Sequence, residues 1–233
     1  MNTGFESSRT AALELLDVAV PPSHEWKLRR KTPLVLNSIR KLLRPLFEQI
    51  GQSSFAWRAE SVGFWRTPEG RYWLPRLVFQ RSRDEARIRL AIFAGIHGDE
   101  PAGVQALCEL VRTLDSAPWL GRQYLIHVYP LCNPTGYEDG TRESRAGKDL
   151  NREFWGGSLE PEVQLLEREI LRSKYDGFIS LHSDDSSEGL YGFVRGATLT
   201  EHLLRPALAA AEALLPVNEA AEIDGFHGIW ARM

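Results

Sequence analysis

The chain has 233 residues, 43% hydrophobic and 25% charged, with a formal net charge of −3. That length buries a sizeable core in one domain, or one domain and part of a second. A charge so near balance excludes a strong electrostatic pull toward nucleic acid or an acidic membrane.

In chain order, residues 11–17 read as a short helix stopped by Pro21 and Pro22. The opening "MNTGFESSRTAALELLDVAV" has no basic start, and acids interrupt its apolar residues. It does not read as a secretory signal, and no apolar run approaches a membrane span. A cytoplasmic chain is the expectation. "KLRRK" (Lys27 to Lys31) reads as a solvated segment. Leu36, Ile39, Leu42, Leu43, Leu46 and Ile50 have the spacing of an amphipathic helix, bent at Pro45 and ended by Gly51. "FAWRAESVGFW", "RYWLPRLVFQ" and "IRLAIFAGI" read as strands, with turn chemistry at "TPEG". "AGVQALCELVRTL" is a helix, "YLIHVYPLC" a buried strand, and "DLNREFWGG" a loop. "PEVQLLEREILRS" is a helix with Pro161 in its first turn. "YDGFISLHS" is a strand, and "LTEHLLRPALAAAEALL" a helix bent near Pro206.

Strand and helix therefore alternate from about residue 88 to 215. The pattern predicts an α/β fold: a mixed, largely parallel twisted sheet flanked by helices. Residues 1–60 read as an N-terminal helical segment packing on the core, and 61–233 as the α/β domain. The two cysteines, Cys108 and Cys132, do not make a disulfide framework. Cys108 reads as a small core residue. An unfinished sheet edge would suit a homodimer.

The chemistry gathers where strands end, which is where such sheets bind ligands. In "IFAGIHGDEPAGVQAL", His97 sits just past a strand. Glu100 follows three residues later, and Pro101 opens a helix. Residues i and i+3 at a helix start can face the same way, so an imidazole and a carboxylate converge as two legs of a zinc site. The plainer reading is an acid favouring the helix dipole beside a polar loop histidine. His182, ending the strand in "GFISLHSDD", supplies a third leg on the same sheet edge. Two histidines and a glutamate with an open fourth position are the catalytic pattern for zinc. Asp184 and Asp185 read as turn residues rather than outer partners of that site. Residues 133–154 form a glycine-rich loop after another buried strand. The loop carries Arg142, Arg145, Arg152, Asn133 and Asn151, and guanidiniums beside a metal suit carboxylates and oxyanions. His127, inside "YLIHVYP", reads as a satisfied core histidine, and Trp155 as a packing residue.

In this order, "GIHGDEPAG", "NPTGYEDGTR", "DLNREF" and "SLHSDD" resemble the zinc carboxypeptidase superfamily. The short ligand spacing resembles its compact branch, which includes succinylglutamate desuccinylase, aspartoacylase and bacterial murein-peptide carboxypeptidases. The resemblance covers about residues 88 to 195. It implies one zinc per chain on His97, Glu100 and His182. It implies Arg142 as the residue polarising the scissile carbonyl, with Arg145 the runner-up, and Asn151 and Arg152 as the grip on a substrate carboxylate. The implied activity is zinc-dependent hydrolysis of an amide bond in a small-molecule or short-peptide substrate with a free carboxylate. Carboxypeptidase action is expected ahead of deacylation of N-acyl amino acids.

The superfamily's general base is a glutamate well downstream of the third ligand. Glu188, Glu201, Glu212, Glu219 and Glu222 follow His182, and none has a matching context. The base is therefore unassigned, and the chain is expected to be shortened at its C-terminal end. A zinc- and carboxylate-binding module with little turnover is the reading that competes with an enzyme.

Overall fold

The computed structural model describes residues 37–53, 57–80, 88–183, 187–220, 222–223 and 226–227. The helix expected over 11–17, the Lys27 to Lys31 segment, Asp184 and Asp185 lie outside the described residues.

Helix α1 (Ile39–Gln52) starts at Ser38, whose hydroxyl accepts the Lys41 N–H at 3.2 Å. It buries Ile39, Leu43, Leu46, Phe47 and Ile50, a single stripe at helical spacing. Pro45 lies inside the helix on its exposed side. The helix runs one residue past Gly51, to Gln52.

Strands β1 (Trp57–Thr67) and β2 (Gly70–Gln80) form an antiparallel hairpin closed at Thr67↔Gly70, the turn read from "TPEG". Next come β3 (Ile88–Ala94), α2 (Ala102–Ser116), β4 (Tyr124–Tyr129), α3 (Pro134–Asp139), α4 (Pro161–Ser173) and β5 (Gly177–Leu181). The sheet order is β1-β2-β4-β3-β5. β2 pairs antiparallel with β4, while β3 pairs parallel with β4 and with β5. The sheet is mixed and flanked by helices, as the sequence suggested. It is not largely parallel: two of its four pairings are antiparallel, because the long hairpin joins the sheet through β2.

α1 and α2 cover one face, sharing a core with Trp73, Leu77 and Phe79. α4 covers the other, where Val163, Leu165 and Leu166 pack with Leu74, Ala91 and Tyr129. Cys108 packs partly buried against the first core, and Cys132 is buried in the second. His127 is buried on β4, its Nδ1 2.6 Å from the Tyr175 hydroxyl, so it is the satisfied core histidine expected.

The chain separates into two compact units, Met1–Ser183 and Asp184–Met233. In the second, the helix expected over 199–215 with a bend near Pro206 runs over 197–211 and departs from α geometry just before Pro206. A turn at Ala197–Leu199, a π-helical turn at Thr200–Leu204 and helix α5 (Arg205–Ala211) follow one another. The Arg205 N–H bonds the Thr200 carbonyl five residues back, just before Pro206, which has no N–H to give. Two short strands, β6 (Glu222–Ile223) and β7 (Phe226–His227), pair antiparallel.

Candidate metal centre

β3 lies between β4 and β5, so the chain order reverses there. The carboxyl ends of the strands at such a point open a crevice. His97 follows β3, the Asn133–Arg152 region follows β4, and His182 follows β5.

Two glycines shape the turn after β3. Gly95 has φ +58°, and a Cβ there would lie 2.9 Å from Leu131 Cδ1. A Cβ on Gly98 would lie 2.0 Å from the Gly136 carbonyl carbon and 2.1 Å from the Tyr137 nitrogen. Only glycine lets this turn lie against α3. The Gly98 N–H then donates to the Arg142 carbonyl at 3.3 Å, and the Asn133 side-chain amide donates to the same carbonyl at 3.3 Å. α3 departs from the loop expected over residues 133–154. Its six residues are too few to show a period, yet Asn133 caps it by accepting the Gly136 N–H at 2.9 Å.

His97, Glu100 and His182 each offer one ligand atom, and these atoms lie within 4.8 Å of one another. His97 Nδ1 is 2.7 Å from Glu100 Oε1, and His182 Nδ1 is 3.0 Å from Glu100 Oε2. The two Nδ1 atoms are 3.2 Å apart. His97 and Glu100 are buried, and His182 opens to solvent. Burial pushes the Glu100 carboxyl up. Contacts with His182 and His97 and the hydrogen bond from the Ser183 N–H outweigh it and hold the carboxyl down at about 2. The donor set is thus two imidazole nitrogens and an ionised carboxylate, a set that fits zinc.

The sequence reading missed Asp149. Its Oδ1 lies 3.2 Å from His97 Nε2, and its Oδ2 accepts from Arg142 Nε at 3.3 Å. It also starts the short turn Leu150–Arg152 by accepting the Asn151 N–H at 3.0 Å. Burial raises its pKa, but the neighbouring His97 and Arg142 charges bring it below the ordinary value. The available signal was an acid two residues before Asn151, with Leu150 between them, at a cap position.

Arg142 lies at the edge of the cluster, its Nη1 3.5 Å from Glu100 Oε1 and its side chain 44% exposed. Arg145 is engaged elsewhere. It donates to both Asp139 oxygens at 2.7 Å, to Glu138 at 3.0 Å and to the Tyr72 hydroxyl at 2.5 Å. Asn151 and Arg152 are exposed, with no side-chain partner among the described residues. Trp155, expected to pack, is 60% exposed with φ 62°.

Behind this loop Glu162 is buried at the start of α4, its Oε1 3.3 Å from the Thr135 hydroxyl. That hydroxyl accepts the Arg145 N–H at 3.2 Å. Burial pushes the Glu162 carboxyl from 4.5 up to about 7. The folded chain then keeps a proton that the unfolded chain has released. This contribution to stability is complete below pH 4.5 and is lost as pH rises to about 7, amounting to about 3 kcal/mol. Urea unfolding at a series of pH values is expected to show that fall, and Glu162→Gln to flatten it.

A family model for the succinylglutamate desuccinylase/aspartoacylase catalytic domain matches residues 86–223. No curated protein matches the chain. Among solved structures, a proposed metallopeptidase from Shewanella denitrificans is 20% identical with a TM-score of 0.62. The match covers 82% of this chain and 70% of that one. A metallo-carboxypeptidase from Pseudomonas aeruginosa is 23% identical with a TM-score of 0.55, over 66% of this chain and 42% of that one. Carboxypeptidase A from Helicoverpa armigera is 18% identical with a TM-score of 0.54, over 79% and 55% respectively. At such identities the likeness is one of fold, and the chain spans less than half of the Pseudomonas aeruginosa protein.

Proposed function

We propose, from the premise that the chain belongs to the succinylglutamate desuccinylase/aspartoacylase catalytic-domain family, that it is a zinc-dependent hydrolase of an amide bond in a carboxylate-bearing substrate. The observation that carries this reading is the convergence of His97, Glu100 and His182 from two strand ends. These three residues would hold one zinc ion. Bound there, zinc would supply a Lewis acid for the scissile carbonyl and lower the pKa of water toward ~7.

The chain's own residues do the rest. Asp149 orients His97 by holding its Nε2, so Nδ1 points into the cluster. Arg142, positioned by Asp149 and through its carbonyl by Gly98 and Asn133, places a guanidinium where oxyanion charge develops. Asn151 and Arg152, whose side chains have no partner among the described residues, stand on the turn that Asp149 caps, hold the substrate carboxylate and set which bond is presented. Among the described residues, Glu100 and Asp149 are the carboxylates in hydrogen-bond contact with the two histidines. Both are engaged there, so the general base is left unassigned.

Two substrate classes suit this arrangement. The metallocarboxypeptidase fold supports release of a C-terminal residue from a short peptide, and we place this first. The family match supports release of the acyl group from an N-acyl amino acid. Incubating zinc-loaded chain with short peptides and with N-succinyl and N-acetyl amino acids, and identifying products by mass spectrometry, separates the two. Release of a C-terminal residue is the expected result. Zinc and carboxylate binding without any product would instead support a binding module with little turnover.

A further inference from the structure

β5 brings a second group to the metal cluster. Ser180 is held in register opposite Phe93 of β3, and His182 lies two residues later, just past the strand's end. Residues i and i+2 along an extended chain share a face. The Ser180 Oγ accordingly lies 3.0 Å from His182 Nε2. The other ring nitrogen, Nδ1, faces Glu100 Oε2 and His97 Nδ1. His97 is built the same way: Nδ1 faces the cluster, and Nε2 is held from outside by Asp149. Each imidazole thus has one nitrogen for the cluster and one tied to an outer oxygen.

We propose that Ser180 is the positioning residue for His182, its hydroxyl accepting the Nε2–H so that the Nδ1 lone pair is presented to the metal. The inference rests on the metal reading above. A neutral imidazole carries one N–H, and which nitrogen bears it is set by the bond the other must make. His182 is the exposed member of the three, so packing alone holds its ring least. A hydroxyl two residues away on a hydrogen-bonded strand fixes both ring rotation and tautomer at that open side. The partners also differ in charge. Asp149 is an ionised acceptor for buried His97, whereas Ser180 is a neutral one for the exposed histidine.

The test compares wild-type chain with S180A and S180T by zinc competition against a chromophoric chelator, and by ¹H–¹⁵N NMR of the zinc-loaded histidine rings. Ser180 is exposed, so its truncation opens no core cavity. S180A is expected to bind zinc roughly ten-fold more weakly and to lose the protected His182 Nε2–H signal to solvent exchange. S180T keeps the hydroxyl and is expected to restore both. Wild-type affinity in S180A overturns the inference. Weaker binding with the Nε2–H signal intact also overturns it, because a loosened strand would do as much. A wild-type chain that takes up no zinc overturns the metal reading and this inference together, a result distinct from the other two.

Discussion

Replacing Glu100 by glutamine is expected to strip the chain of zinc and end hydrolysis with it. Glu100 is buried and takes contacts from three groups: His97 Nδ1, His182 Nδ1 and the Ser183 N–H. Those contacts hold its carboxyl at about 2, so it is charged throughout the neutral range. Glutamine keeps the volume and removes the charge. A cation between two imidazoles would then lose its one anionic ligand. The loss of zinc affinity should exceed the roughly 10–100-fold that outer-shell changes cost. Chelator competition measures it, and a thermal melt of metal-free chain shows whether the fold persists. An E100Q chain with wild-type zinc affinity would remove Glu100 from the site.

Arg142→Ala is expected to lower kcat by about 10²–10³-fold and leave KM nearly unchanged, because charge on the carbonyl oxygen appears in the transition state. Arg145→Ala is the informative contrast. Its guanidinium binds Asp139, Glu138 and Tyr72. Losing it leaves the Asp139, Glu138 and Glu69 carboxylates without that cation and costs stability, on the order of 3 kcal/mol, with zinc retained. Steady-state kinetics beside chemical denaturation of both variants separates the roles. A kcat loss larger in R145A than in R142A would reverse the assignment.

The cluster of His97, Glu100 and His182 was legible because each residue stands where an apolar strand gives way to glycine, proline or acid. His97 and Glu100 also have the three-residue spacing that brings side chains together at a helix start. The choice between Arg142 and Arg145 was not legible. Both lie in one irregular loop, and what separates them is a long-range partner, Tyr72, on a strand far back in the chain. Asp149 was hidden similarly. Its neighbours Asn151 and Arg152 carry the residue types of a carboxylate grip, while its own contact, His97, comes from another strand end. Ser180 is one of many serines until β5 sets its register. The strands themselves were visible in their apolar runs and in the "TPEG" turn. The pairing of β2 with β4 was not, because strand alternation records chain order and says nothing of which edges meet.

The central claim is that the strand-end cluster is a metal site, and elemental analysis of purified chain tests it most directly, with His97→Ala alongside. The account predicts about one zinc per wild-type chain and none in the variant. A wild-type chain without zinc after incubation with the ion, or equal zinc in both proteins, would contradict it.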